Sequence, residues 1–91
     1  MVIRQLIWDS WNRGHIAKHG IVPAEAEEVC HGNPLVQEGN KGRVVVIGPT
    51  STGKMLEVVL HLKGKDVYYP VTAHIASKKD RRLYKIEKGG I

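Results

Sequence analysis

The fold is decided by the stretch RVVVIGPTSTGKMLEVVLHLKGKDVYYPVTAH, which spans residues 43–74. Residues 43–47 are a valine-rich run typical of a β-strand. Residues 54–62 and 67–74 both alternate with the two-residue period of a half-buried strand. The short segments between these runs carry glycine and other turn-forming residues, so we interpret them as tight connections. The stretch therefore predicts three consecutive antiparallel strands.

Two helices and a further strand are predicted before this stretch, and one helix after it. Asp9 or Ser10 is a suitable N-cap for the first helix, Pro23 suits the first turn of the second, and Ser77 begins the last as its N-cap, in a capping box with Asp80. The predicted elements are helices at 10–19, 23–31 and 78–87 and a short strand at 35–38.

This order of elements predicts an α+β fold. We expect two N-terminal helices, a four-stranded antiparallel meander and a basic C-terminal helix, with the helices on one face of the sheet. The 91 residues are enough for one domain, which we expect to cover residues 1–91 with its core at about 6–87.

Composition excludes several classes of protein. Hydrophobic residues make up 42% and charged residues 25%, which is typical of a soluble globular domain. The single cysteine, Cys30, cannot form an internal disulfide, so a disulfide-stapled secreted domain is excluded. No apolar run approaches the ~20 residues of a membrane helix, and the N-terminal pattern is not that of a signal peptide. We therefore expect a cytoplasmic protein.

The net charge of +5 is confined to the last third of the chain. Residues 1–60 hold six basic and six acidic residues, whereas residues 61–91 hold eight basic and three acidic ones. Most of this excess lies in the predicted last helix. One interpretation is a solvated helix face; the other is a helix that contacts phosphates, because lysine and arginine make most phosphate contacts in nucleic-acid complexes. The predicted phosphate contacts are Lys78, Lys79, Arg82 and Lys85, together with Lys65 from the predicted turn between the strands at 54–62 and 67–74.

Three local patterns suggest other chemistry and are set aside. Residues 48–54 match the phosphate-loop pattern, but Met55 follows where Ser or Thr is needed, and a strand follows where a helix is needed. His15 and His19 share a helix face, and Cys30 and His31 could add ligands, yet no acid or second cysteine completes a metal-binding spacing, so we interpret them as core or capping residues. Cys30 is interpreted as a packing residue.

His61 and His74 are the candidate proton-transfer residues. Both fall on the more polar sets of their strands, together with Glu57, Tyr68 and Thr72. If helices cover the opposite face, this face presents imidazoles, a carboxylate and a tyrosine beside the basic helix. Imidazole exchanges protons near neutral pH, and nearby cations stabilise a negatively charged transition state. The alternative is an ordinary half-exposed polar sheet face.

Short motifs along the chain resemble the BrnT family of bacterial type II toxins. Their order and spacing match that family over about residues 6–85, although each piece is short. The N-terminal pieces are Leu6-Ile7-Trp8-Asp9, Asn12, Lys18-His19-Gly20-Ile21 and Glu25-Ala26-Glu27-Glu28-Val29. The remaining pieces are Val46-Ile47-Gly48, Gly53-Lys54-Met55-Leu56, Val71-Thr72-Ala73-His74 with Ala76, and Asp80-Arg81-Arg82-Leu83-Tyr84.

The resemblance implies a RelE-like ribonuclease fold and metal-independent cleavage of mRNA without a cofactor. In such enzymes the 2′-hydroxyl attacks the adjacent phosphate, so the protein positions the RNA, moves protons and neutralises charge. It also implies an antitoxin partner of the ribbon-helix-helix type, similar to BrnA, which covers the basic surface. A homodimer and a toxin–antitoxin heterotetramer both remain open.

Two positions depart from the family pattern. The fourth family strand usually carries two arginines, and this chain has Tyr69 and His74 at those places. Tyr69 supplies no cation, whereas His74 supplies one when protonated. We therefore predict a toxin ribonuclease whose catalytic residues are His74, His61, Glu57, Arg81 and Tyr84. The alternative is a non-catalytic nucleic-acid- or protein-binding relative with the same fold.

Overall fold

A computed structural model describes residues 1–89 as one five-stranded mixed sheet with three helices packed against it. The α+β class is confirmed. None of the helices in this part of the chain is long and apolar enough to cross a membrane. The elements are β1 (Gln5–Leu6), α1 (Ser10–Ala17), α2 (Pro23–His31), β2 (Leu35–Glu38), β3 (Arg43–Pro49), β4 (Met55–Gly64), β5 (Val67–Ile75) and α3 (Lys78–Lys88).

The sheet has one strand more than predicted. Its order is β1-β5-β4-β3-β2, in which β2 to β5 form the expected antiparallel meander. The additional strand β1 pairs in parallel with β5, with Gln5 opposite Val67 and Leu6 opposite Tyr68. A strand of two residues is too short to show an alternating pattern, so the prediction of four strands was wrong on this point.

The main core lies between the sheet and the two N-terminal helices. Leu56, Val58 and Leu60 of β4 are fully buried there, as their alternation predicts, against Ile16 of α1 and Val29 of α2. Leu62 was expected on the same face and pairs with the buried Tyr68, but it is 45% exposed near the C-terminal end of β4. Burial of these aliphatic side chains is the dominant stabilising contribution to the fold.

The last helix does not lie with the other two. α3 packs near β2 and β3 on the opposite face of the sheet, where Asp80 from its first turn reaches Glu57 of β4. Ser77 caps α3 by accepting a hydrogen bond from the Asp80 backbone N–H at 3.1 Å, as predicted. The expectation that all helices share one face was therefore wrong, and α3 instead borders the polar side of the sheet.

A β-bulge in β5 reverses which side chains face the core. Leu60 pairs with Pro70 and Val59 pairs with Thr72, so Val71 has no partner of its own. Pro70 cannot donate a hydrogen bond to the ladder, which explains why the irregularity occurs here. As a result, Tyr68 is buried in the core while Tyr69 and His74 lie on the polar face. The predicted grouping of Tyr68 with His74 was wrong.

Helix α1 closes the free edge of β5 beyond the short strand β1. Asn12 is fully buried and donates through its side-chain amide to the carbonyl oxygens of Ile7 (2.9 Å) and Pro70 (3.1 Å). Asp9 caps this helix by accepting from the Asn12 backbone N–H at 2.9 Å. These contacts bring the C-terminal end of α1 beside the C-terminal half of β5.

Candidate active site

Glu57 and His74 form a close pair on the polar face of the sheet. They are direct partners across β4 and β5, and His74 Nε2 lies 2.8 Å from Glu57 Oε1. Their cross-strand register follows from the two-residue period and from the bulge described above. Both side chains are partly exposed, so a ligand on this face has access to the pair.

The hydrogen bonds of His74 define where its protons lie. His74 Nδ1 is 3.1 Å from the Ile75 carbonyl oxygen, and because a carbonyl oxygen only accepts, Nδ1 carries a proton. The second ring nitrogen, Nε2, is within hydrogen-bond distance of Glu57 Oε1, so one proton lies between these two atoms. The pair exists either as imidazolium and carboxylate or as neutral imidazole and carboxylic acid.

The surroundings of Glu57 raise the pKa of its carboxyl group. Partial burial is the main cause that raises the pKa of Glu57, and the neighbouring Asp80 carboxyl raises it further through a hydrogen bond and like charge. His74 acts in the opposite direction, because a nearby positive charge lowers the pKa of a carboxyl. The balance brings the protonation of Glu57 closer to neutral pH, as is typical of a proton-transfer group.

A cationic groove on α3 adjoins this pair. It has a volume of about 330 Å³ and begins at Met55, which precedes Glu57 by two residues on the same face of β4. Arg81 Nη1 donates to the Ala76 carbonyl oxygen at 3.1 Å, which fixes one side of its guanidinium group. The basic residues that line the groove are Lys78, Arg81, Arg82 and Lys85.

The other predicted site residues are spread more widely. His61 lies four residues from Glu57 on β4, a separation of about 13 Å along the strand, and its Nδ1 is buried without a hydrogen-bond partner among residues 1–89. Tyr84 donates instead to the Asn33 carbonyl oxygen at 3.4 Å, which ties α3 to the loop after α2. Lys79 is exposed but does not line the groove, and Lys65 lies in the β4–β5 turn, away from α3.

A row of aromatic rings leads to His74 and was not predicted. The ring centroids of His19 and His74 are 6.1 Å apart, and His15 lies 5.7 Å from His19. The interpretation of the α1 histidines as core residues was wrong, since His19 is exposed and His15 is only half-buried. Their spacing of four residues indicated that they share one face of α1. Their closeness to His74 depends on the packing of α1 beside β5, which the sequence does not show.

The patterns that the sequence analysis set aside have structural roles. Lys54, at the end of the loop that resembles a phosphate loop, forms a 2.7 Å ion pair with Glu25, and strand β4 follows it. Cys30 is buried, and this burial raises the pKa of its thiol to about 12, as expected of a packing residue. Among residues 1–89, no three His, Cys, Asp or Glu side chains are grouped so that they would hold a metal ion.

Comparison with solved structures finds a similar fold. The 1.1 Å crystal structure of the Brucella abortus ribonuclease toxin BrnT matches with a TM-score of 0.65 and 25% sequence identity, covering 81% of this chain and 97% of that chain. This chain is BrnT-like. The predicted resemblance is thus confirmed by the three-dimensional arrangement. The match with BrnT includes nearly all of that toxin, so the likeness is not limited to a common substructure. No protein-family model and no curated protein matches the chain by sequence.

Proposed function

We propose that this chain is the ribonuclease toxin of a type II toxin–antitoxin pair and that it cleaves mRNA in the cytoplasm without a metal ion. The observation that carries the proposal is the Glu57–His74 pair beside a cationic groove, within a BrnT-like fold. A ribonuclease of this kind needs a proton acceptor, a proton donor and positive charge near one phosphate, and these residues supply all three.

The pair performs both proton transfers in the proposed reaction. In its imidazolium–carboxylate form, Glu57 accepts the proton of the 2′-hydroxyl as that oxygen bonds to the adjacent phosphorus. The bond from phosphorus to the 5′-oxygen breaks, and His74 gives its Nε2 proton to that leaving oxygen. The products are a 2′,3′-cyclic phosphate and a 5′-hydroxyl. One proton then moves from Glu57 to His74 across their 2.8 Å contact and restores the starting form.

The α3 groove supplies the positive charge for the reaction. Arg81 neutralises the phosphate during cleavage, because its guanidinium group is held near the first turn of α3 by the Ala76 carbonyl oxygen. Lys78, Arg82 and Lys85 hold the flanking phosphates along the groove. Lys79 adds charge at the rim, and Lys65 stays outside this surface.

Two predicted catalytic residues take supporting roles. Tyr84 fixes the position of α3 through Asn33 and so positions the groove relative to the sheet. His61 lies further along the polar face, beside Tyr69 in the cross-strand register, where a flanking nucleotide of the RNA would pass. An antitoxin of the ribbon-helix-helix type would neutralise the toxin by covering the basic groove, in a complex with acidic side chains opposite α3.

Cleavage of mRNA by the purified chain, alone and with ribosomes, tests the proposal. We expect Glu57→Gln and His74→Ala each to lower the cleavage rate by at least about 100-fold, the usual contribution of a positioned proton-transfer group. The matched control is His31→Ala, because His31 contacts Glu27 at 3.1 Å in a similar pair on α2. Cleavage by His74→Ala at the wild-type rate would contradict the assignment, and induced expression of the wild-type chain should arrest growth.

One observation favours the second candidate, a binding protein without catalysis. Tyr69 stands where the resembled family usually has an arginine, and its hydroxyl is engaged with Asp9, so β5 supplies no fixed cation at that position. RNA that binds to the wild-type chain with steep salt dependence, but is never cleaved, would support this candidate.

A further inference from the structure

Trp11 is an exposed indole ring with a flat face presented on the surface of α1. It is 58% exposed, and its ring stacks on that of His15 with a centroid distance of 4.9 Å and an interplanar angle of 7°. Large aromatic side chains usually bury most of their surface, so an exposed and pre-oriented indole ring needs an explanation. His15 contacts one face of the ring, and the opposite side of the indole stays exposed.

Trp11 has no evident role in stabilising the fold. The neighbouring Trp8 performs that role, since it packs against the core and donates from Nε1 to Glu27 at 2.8 Å. The indole N–H of Trp11 makes no hydrogen bond within residues 1–89. Exposed apolar surface rimmed by polar residues is typical of a binding site, and Ser10 and Lys18 adjoin Trp11 here.

The helix surface beside Trp11 is open. A groove of about 300 Å³ there is lined by Ser10, Trp11, Gly14, His15 and Lys18. Gly14 lies inside α1 with nothing within 4 Å of the position that a Cβ would occupy, and its φ is not positive, so neither packing nor backbone geometry requires glycine. Glycine inside a helix is less stable than alanine at the same position. Here its absence of a side chain keeps the groove open.

The ring row connects this groove to the proposed reaction centre. From Trp11 through His15 and His19 to His74, each ring centroid lies between 4.9 and 6.1 Å from the next. Lys18 lies within the Trp11 groove and supplies a cation for a phosphate there. Aromatic rings interleaved with basic side chains are the pattern by which proteins bind single-stranded nucleic acid.

We propose that Trp11 is a stacking platform for an unpaired nucleobase of the RNA strand that is cleaved at Glu57 and His74, at a distance from the cleaved phosphate that is spanned by the rings of His15 and His19. This inference rests on the proposed function and adds a substrate-positioning residue to it. The base stacks on the exposed face of the indole ring, and Lys18 contacts the adjoining phosphate. The RNA thus extends from the α3 groove across His74 to α1.

Binding of a short, random-sequence, 2′-O-methylated single-stranded RNA tests the proposal, because this probe has no free 2′-hydroxyl and is not cleaved. We expect Trp11→Ala to weaken binding between about 5-fold and about 100-fold, the usual effect of removing one base-stacking ring. Trp11→Phe should retain most of the affinity, because it keeps an aromatic face. Val22→Ala, at another exposed apolar residue that is 53% exposed, serves as the matched control and should bind like the wild type.

The same oligonucleotide with abasic sites distinguishes stacking from a general effect on the surface. Trp11→Ala should leave affinity for the abasic strand unchanged, since that strand offers phosphates but no bases. Equal losses on both strands, or no loss on either, would overturn the assignment. A Trp11→Ala chain that binds RNA normally but no longer self-associates in sedimentation would also overturn it, because Trp11 would then be a contact between copies.

The outcomes separate this inference from the proposed function. If the wild-type chain cleaves RNA in a His74-dependent manner while Trp11→Ala binds RNA like the wild type, only the platform is wrong. If the wild-type chain binds no oligonucleotide at all, both the platform and the ribonuclease proposal are wrong.

Discussion

Tyr69 and Asp9 join β5 to the start of α1. The Tyr69 hydroxyl lies 2.9 Å and 3.1 Å from the two carboxylate oxygens of Asp9, to which it donates. The same carboxylate caps α1 by accepting from the Asn12 backbone N–H. A single side chain therefore both starts the helix and holds it against the strand that carries His74.

Protonation of Asp9 should weaken the fold. The hydrogen bond from the Asn12 backbone N–H is the main cause that lowers the pKa of Asp9, and the Tyr69 hydroxyl adds to this, while desolvation opposes it. A carboxyl whose pKa is lower in the folded state stabilises the fold at any pH above its pKa in the unfolded chain, about 3.9. That contribution is lost as the pH falls through the pKa of the folded state. We expect Asp9→Asn to reduce the loss of stability on acidification, measured by urea unfolding at neutral and acidic pH.

The control for this measurement is Glu38→Gln, because Glu38 is exposed and its carboxylate makes no hydrogen bond within residues 1–89. An Asp9→Asn chain that loses stability on acidification as steeply as the wild type would contradict the prediction.

Replacement of Asp80 should change the protonation of Glu57. The Asp80 carboxyl raises the pKa of Glu57 in addition to desolvation, so Asp80→Asn should lower that pKa. The Ser77 cap should be retained, because it uses the backbone N–H of residue 80 and not its side chain. The direct measurement is an NMR titration of the Glu57 carboxyl carbon, and the acidic limb of the cleavage profile should move to lower pH.

Glu87→Gln on the same helix is the matched control, because it removes an equal charge from the far end of α3. An unchanged titration of Glu57 in Asp80→Asn, or an equal change in Glu87→Gln, would show that Asp80 is not the specific cause.

Removal of the Asn12 amide should strongly destabilise the protein. Asn12→Ala leaves the carbonyl oxygens of Ile7 and Pro70 without their donor in a buried position. Each buried unsatisfied group costs about 1–3 kcal/mol, so we expect the free energy of unfolding to fall by about 2–4 kcal/mol. Denaturant unfolding measures this, and Asn40→Ala at an exposed loop position is the control. A loss below about 1 kcal/mol would contradict the assigned role.

The salt dependence of RNA binding should report the α3 groove. Because each phosphate contact releases counterions, Lys78→Ala and Arg82→Ala should each reduce the slope of log affinity against log salt by about 1. Lys65→Ala should leave the slope unchanged, since the β4–β5 turn lies at the opposite end of these strands from α3. An equal effect of Lys65→Ala would mean that the RNA extends along the whole sheet.

Local patterns were sufficient to predict most of the fold. The alternation of β4 correctly assigned Leu56, Val58 and Leu60 to the core, and the caps at Asp9 and Ser77 are those expected. Strand β1 was missed because its two residues form a strand only through pairing with β5, which lies about 60 positions later in the chain. Pro70 indicated an irregularity, but the number of residues that the bulge would insert, and hence the faces of Tyr68 and Tyr69, depends on tertiary pairing.

The candidate site was also predictable only in part, because it too depends on tertiary contacts. Glu57 and His74 were singled out from their strand positions, and the observed register places them opposite each other. Asp80 was interpreted only as part of a helix cap, because the approach of α3 to the polar face is not encoded in local sequence. The ring row from Trp11 to His74 likewise depends on the packing of a helix against a strand edge.

The closure of the β5 edge by Asn12 also protects the protein against aggregation. An unpaired strand edge is a template for pairing with other chains, and proteins commonly block it with a helix, a proline or a short charged strand. Here α1 and Pro70 block one edge of the sheet, and the other is β2, which has only four residues and ends at Glu38. Both edges of the sheet therefore carry features that limit pairing with other chains, while its polar face stays accessible.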